Sequence, residues 1–199
     1  MGAAIMDFTD PAIPLPAFLV VDTSVWLNAL RPNAPQQPPH HQDACDFVKR
    51  LEAEAIAGGT IALVTLPVLE ECIFKILQFN FKAEAVSRGL KPHQWPDVYK
   101  DSPDVIETQF YPQVEQFQAE LSAIPVWIVE PEDLCGVCGR KPGEVALNGM
   151  MRSYVESFNL LPQDAFNLAI ANRLGVTNIA AIDADFHRAD GFTIYTCLV

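Results

Sequence analysis

Five acidic positions stand where a chain can gather metal ligands: Asp22, one of the neighbours Glu70 and Glu71, Asp164, Asp183 and Asp185. Each falls where a buried strand ends or a helix begins, so all can converge on one side of one sheet. Carboxylates are hard oxygen donors of the kind Mg²⁺ and Mn²⁺ take. Two such ions can align a water for attack on a phosphodiester and stabilise the leaving oxygen. Taken singly, each acid has a plainer reading. Asp22 can cap a helix, and Glu70 and Glu71 can be acids enriched near a helix start. It is their repetition at equivalent places that points to a site.

The elements that position them follow from the apolar pattern. The run AFLVV at 17–21 is short enough for a central parallel strand, and Asp22 ends it beside the hydroxyls of Thr23 and Ser24. An amphipathic helix spans 43–57 and closes at Gly58 and Gly59. A strand at 61–64 leads into a helix at 65–79, where neighbouring Glu70 and Glu71 stand about 100° apart, so one faces a crevice while the other looks away. A helix at 112–123, a strand at 124–129 and an amphipathic helix at 144–158 come next. Pro162 suits the first position of the following helix and places Asp164 in its first turn, where free N–H groups and the helix dipole favour a carboxylate. Asp164 is therefore expected to ionise easily. That helix stops at Gly175, a strand at 178–182 ends at Asp183, and a last strand covers 192–197. In open parallel sheets, ligands sit beyond the strand C-termini.

The resulting order predicts a three-layer α/β sandwich around a mainly parallel central sheet, with helical and loop insertions. A chain of 199 residues, half of them hydrophobic, can bury a sizeable core, and one domain over 1–199 is expected. Residues 1–16 read as a proline-rich lead-in, and 80–112 and 131–145 as insertions. A net charge of −12 argues against broad attraction to nucleic acid or an anionic membrane, so any polyanion must be held locally. The start has no basic n-region and is broken by Asp7, Asp10 and prolines, which fits neither a signal peptide nor a membrane span. A cytoplasmic location is expected. Five cysteines without framework spacing fit reduced thiols.

Three further features carry weaker chemistry. Lys82, Arg88, Lys91 and Lys100 interleave with Phe81, Trp95 and Tyr99, the mixture of cations and rings used on single-stranded nucleic acid; a long helix ending at Gly89 with an ordinary surface loop explains the same residues. His40 and His41 lie in a Pro- and Gln-rich stretch at 31–44 that reads as an exposed loop, and lack the i, i+4 spacing of a helical ligand pair. Cys135 and Cys138 supply half of a tetrahedral zinc site, for which Cys45, Cys72 and Cys197 offer no second short-spaced pair. Zinc would need distant partners.

The blocks FLVVDTSVW, VTLPVLEEC, LPQDAFNLAIANRLG and AIDADF, in that order, resemble the four acidic blocks of PIN-domain nucleases, which include VapC-like toxin ribonucleases. The resemblance implies a Mg²⁺- or Mn²⁺-dependent endoribonuclease with Asp22, Glu71, Asp164 and Asp183 as the catalytic, metal-holding acids and Asp185 in a supporting position. Glu71 is selected over Glu70 by its place in the motif. Water is then the nucleophile and RNA the substrate. A cognate antitoxin or other protein inhibitor and a homodimer are partners of the kind the family has. The chain departs from the pattern at Ala181, where the family often carries Thr or Ser; Thr23 and Ser24 are the supporting hydroxyls nearby. A PIN-like interaction module that cleaves nothing is the alternative. A receiver-type phosphoacceptor fits poorly, for want of a lysine at a late strand end. A phosphatase with a DxD nucleophile fits worse, because ADADF lies late in the chain.

Overall fold

The computed structural model describes residues 2–30, 38–130, 133–134 and 146–199. Six strands form one sheet: β1 (Ala4–Asp7), β2 (Phe18–Val21), β3 (Ile61–Thr65), β4 (Val126–Val129), β5 (Asn178–Ala180) and β6 (Thr193–Thr196). Their order is β1-β6-β5-β2-β3-β4, and every pairing is parallel. Parallel strands need crossovers, which the helices supply. These are α1 (Thr23–Leu30), α2 (His41–Ile56), α3 (Leu66–Ser87), α4 (Trp95–Asp101), the single turn α5 (Pro103–Val105), α6 (Tyr111–Ala123), α7 (Leu147–Phe158) and α8 (Pro162–Arg173). The chain is an α/β fold.

Period-2 alternation along the strands sorts the core into two faces. Leu19, Val21, Ala62, Val64, Ala180 and Tyr195 meet side chains of α1, α2, α3 and α6 on one face. Val20, Leu63, Val129, Ile179, Ala181 and Ile194 meet α7 and α8 on the other. The sheet is thus the middle of three layers. Trp26, fully buried in α1, donates its indole N–H to the carbonyl of Val21 at 3.1 Å, which ties the start of α1 to the end of β2. Thr65 caps α3 by accepting from the N–H of Val68, and Pro67 sits in the first turn. Gly175, at φ +72°, takes the left-handed conformation that lets the chain leave α8.

Strands β2, β3 and β4 run outward in one direction from the middle of the sheet, and β5 and β6 in the other. The order therefore reverses between β2 and β5, which pair through Val20–Ile179 and Val21–Ala180. At such a switch point the loops beyond the strand C-termini part and leave a crevice.

One expectation changes at the N-terminus. The lead-in at 1–16 contains β1, which pairs with β6 and forms an edge of the sheet, and Phe8 just beyond it stacks on Phe47 at 4.4 Å. Helix α3 runs past 79 to Ser87, as the reading of a long helix ending at Gly89 has it, because Ile76, Phe81 and Ala85 keep a buried stripe at helical spacing. Val98 of α4 and Val105 of α5 pack on Phe81 and Ala85 as a separate small cluster. Most of 131–145, including Cys135 and Cys138, lies outside the described residues.

Candidate functional site

The crevice between β2 and β5 is a cavity of about 320 Å³ with an acidic lining: Asp22, Glu71, Asp164 and Asp183 reach it from four elements. Asp22 follows β2, Glu71 comes from the second turn of α3, Asp164 from the first turn of α8, and Asp183 from the connection after β5. Glu70 lines the neighbouring groove instead. Asp185 is not part of the cavity wall; its carboxylate takes Arg188 at 2.8 Å.

Short-range hydrogen bonds set these acids. Asp22 is only 5 % exposed. Its Oδ2 accepts from the Ser24 N–H at 3.0 Å and the Ser24 hydroxyl at 2.7 Å, while Ser24 Oγ accepts from the N–H of Ile182 at 2.9 Å. Ser24 therefore joins the ends of β2 and β5 at the position next to Ala181. The Thr23 hydroxyl donates to Glu71 Oε2 at 2.9 Å, and Asp183 Oδ1 accepts from the N–H of Asp185 at 2.8 Å. The second Asp22 oxygen, Oδ1, is buried with no hydrogen-bond partner. Leaving a buried carboxylate oxygen unpaired is costly, and a cation in the cavity would satisfy it.

Electrostatics agree with a site in which carboxylates outnumber the one lysine. Burial pushes the Asp22 carboxyl up to about 6, against the pull of the Ser24 hydrogen bonds, with the Glu71 charge adding to the rise. Burial likewise lifts Asp164 to about 7, and the charges of Asp22, Asp183, Glu71 and Asp185 push the same way. Asp164 does lie in the first turn of α8, but its expected easy ionisation is overturned. A helix N-terminus contributes less than desolvation among four like charges costs. Lys75, one turn after Glu71, lines the cavity with Nζ 3.9 Å from Glu71 Oε1.

The donor set fits a hard divalent cation: several carboxylates, hydroxyls, and one unpaired buried oxygen. Among the described residues, no three of these acids offer oxygens all within 4.8 Å of one another. Carboxylates repel when nothing lies between them, and Mg²⁺ commonly keeps several waters between itself and its ligands.

Beside the cavity and sharing Glu71 and Lys75 with it runs a groove of about 560 Å³, walled by Pro67, Phe74, Met151, Pro162 and Phe166. Trp95 packs edge-on against Phe74 and Tyr99, and Tyr99 against Phe81. Phe81 is fully buried, so its ring holds α4 to α3 and is closed to any base. Arg88 is paired with Glu84 at 2.7 Å, and Lys91 and Lys100 are exposed. Lys82 is half-buried on α3.

Sequence reasoning missed Lys75, whose signal was its i+4 spacing from Glu71. It also missed Asn167, one turn after Asp164. Asn167 is buried, accepts from the Thr65 hydroxyl at 3.0 Å, and leaves its Nδ2 unpartnered.

No known family model matches the chain, and no curated protein is a sequence relative of it. One similar solved structure is the crystal structure of VapBC2 from Rickettsia felis bound to a DNA fragment from their promoter. It is 13 % identical, with a TM-score of 0.49, and the match covers 90 % of this chain and 98 % of that one. A likeness of that size leaves the family open; the parallel sheet itself establishes the α/β class.

Proposed function

We propose that this protein is a Mg²⁺- or Mn²⁺-dependent phosphodiesterase, specifically an endoribonuclease that cuts single-stranded or structured RNA. The observation that carries the reading is the unpaired, buried Asp22 Oδ1 in a cavity that Glu71, Asp164 and Asp183 also line. Asp22, Glu71, Asp164 and Asp183 would hold the metal, with Asp185 supporting Asp183 through its N–H. The metal would activate a water and stabilise the leaving oxygen. Thr23 orients Glu71, and Ser24 orients Asp22 while fixing the β5 end that carries Asp183. Lys75 offers a cation for a phosphate oxygen at the cavity mouth.

RNA contact falls to the groove that continues from Glu71 and Lys75 to Phe74, on which Trp95 packs, with Lys82 on α3, Arg88 and Lys91 just beyond it and Lys100 on α4 as its cations. Phe74 is 45 % exposed, which leaves part of its ring open to a base. By the sequence resemblance, a protein inhibitor of antitoxin type and a homodimer belong to the proposal; five cysteines without framework spacing add a cytoplasmic setting. No helix among the described residues is long and apolar enough to cross a membrane.

Calorimetric titration with Mn²⁺ and Mg²⁺, paired with cleavage of a mixed single-stranded RNA, tests the reading. Metal-dependent cutting is expected in the wild type. Asp164→Asn with Asp183→Asn is expected to slow it at least about a hundred-fold, the scale of losing one preorganised electrostatic contact. Absence of metal binding at these acids overturns the nuclease. The second reading is a PIN-like interaction module that cleaves nothing, favoured by the wide spacing of the carboxylates and by Ala181. It predicts an RNA that stays intact at saturating metal.

A further inference from the structure

On the α2 side of the molecule, His40, Asp43 and Cys197 come together from the two ends of the chain. His40 precedes α2, Asp43 lies in its first turn, and Cys197 directly follows β6. One ligand atom from each lies within 4.8 Å of the other two, and all three side chains are half-buried. We infer that these three residues form a second metal site, selective for a borderline cation such as Zn²⁺, that clips the end of β6 to the start of α2.

Three observations carry this beyond chance proximity. The donors are an imidazole nitrogen, a carboxylate oxygen and a sulfur, a mixture that zinc takes and that Mg²⁺ does not. His40 Nδ1 stands 3.7 Å from Asp43 Oδ2, too far for a hydrogen bond. That separation is a few tenths of an ångström longer than the ~3.3–3.5 Å between a nitrogen and an oxygen ligand on a tetrahedral zinc, a gap that a bound ion would close. Finally, His40 occupies the N-cap position of α2 but makes no capping hydrogen bond, so helix capping does not explain where its ring points.

His41 provides the contrast. Its Nδ1 is 2.6 Å from the carbonyl of Asn28, and its ring lies 3.6 Å from Cys45 on the same helix, so it fastens α2 to α1 and takes no part in the trio. Three protein ligands leave one tetrahedral position for a water. The clip also reaches the acidic cavity. Pro38, two residues before His40, is part of that cavity's wall, so a metal at His40 would restrain the chain two residues from it. The inference does not depend on the nuclease reading.

The test is a Co²⁺ titration of the full chain carrying Cys135→Ser and Cys138→Ser, which removes the competing sulfur pair. In a background of excess Mg²⁺ to occupy the carboxylate cavity, one sulfur-ligated Co²⁺ per chain is expected, with a sulfur-to-cobalt charge-transfer band and the d–d intensity of a tetrahedral ion, displaced by Zn²⁺ and indifferent to further Mg²⁺. The band is expected to vanish in Cys197→Ser and to persist in Cys45→Ser. His40→Ala and Asp43→Asn keep the test decisive if Cys197→Ser does not fold. Each should weaken Co²⁺ by at least about ten-fold, the cost of losing even an outer partner of a metal ligand. No sulfur band, or a band that survives Cys197→Ser or is unmoved by His40→Ala, overturns the site.

Discussion

Asp164 shows how one carboxyl can serve a site at the expense of the fold. An aspartate ordinarily ionises near 3.8, but in the fold this one keeps its proton up to about pH 7. Below 3.8 both states are protonated and the group has no effect. Between the two values the unfolded chain releases its proton first, so stability falls as pH rises through that window. Metal-free protein is therefore expected to gain stability from Asp164→Asn at pH 8, by about 1–2 kcal/mol once partial solvent exposure is allowed for. The melting temperature should rise by roughly 2–4 °C per kcal/mol, and the gain should vanish near pH 4. Saturating Mn²⁺ should reverse the ranking, because only the wild type gains a cation among its acids. Thermal melts at the two pH values, with and without metal, check both halves. A gain that is the same at pH 4 and pH 8 would remove the like-charge account. Asp22, Asp164 and Asp183 were legible because strand ends and helix starts bracket them in the sequence. Lys75 was not, since a residue one helical turn from an acid looks the same whether it faces a cavity or solvent. The trio of His40, Asp43 and Cys197 was also invisible: nothing local tells β6 to finish beside the start of α2.

At the scale of elements, β1 is the instructive case. AIMD has neither alternation nor β-branched density, and prolines follow it closely, so as an isolated stretch it reads as irregular chain. It becomes a strand because β6 presents a free edge and because Phe8, directly after it, fills a space against Phe47. Phe8→Ala is expected to cost about 3–5 kcal/mol, read by urea unfolding at matched metal and pH. A loss under 1 kcal/mol would mean that β1 is held by its ladder alone. Helix α3 was legible in its long form, because Gly89 marks its end and a buried stripe continues through Ile76, Phe81 and Ala85 although exposed polar residues accumulate around it. The parallel sense of the central strands likewise followed from short apolar runs separated by helices, because parallel neighbours need a long crossover between them.

For the whole molecule, a charge of −12 sets the terms on which a polyanion can approach. Two bound divalent cations would still leave the surface strongly acidic, so few phosphates can be neutralised by protein cations at once. The dependence of RNA affinity on salt is then expected to be shallow. Three phosphate contacts on single-stranded RNA correspond to a slope of about −2 in log K against log salt, and binding isotherms between 50 and 200 mM salt measure it. A slope steeper than about −5 would require a basic surface that the described residues do not display. The placement of β2 beside β5 also decides when a newly made copy can act. Asp22 leaves the ribosome long before Asp183, and at about 5–20 residues per second the interval is roughly ten to thirty seconds. Through that time the growing chain holds Asp22, and later Glu71, without the acids that must face them across the switch point. Under the proposed activity, a half-made copy is harmless to the message being read, and cleavage becomes possible only after β5 has slotted in beside β2.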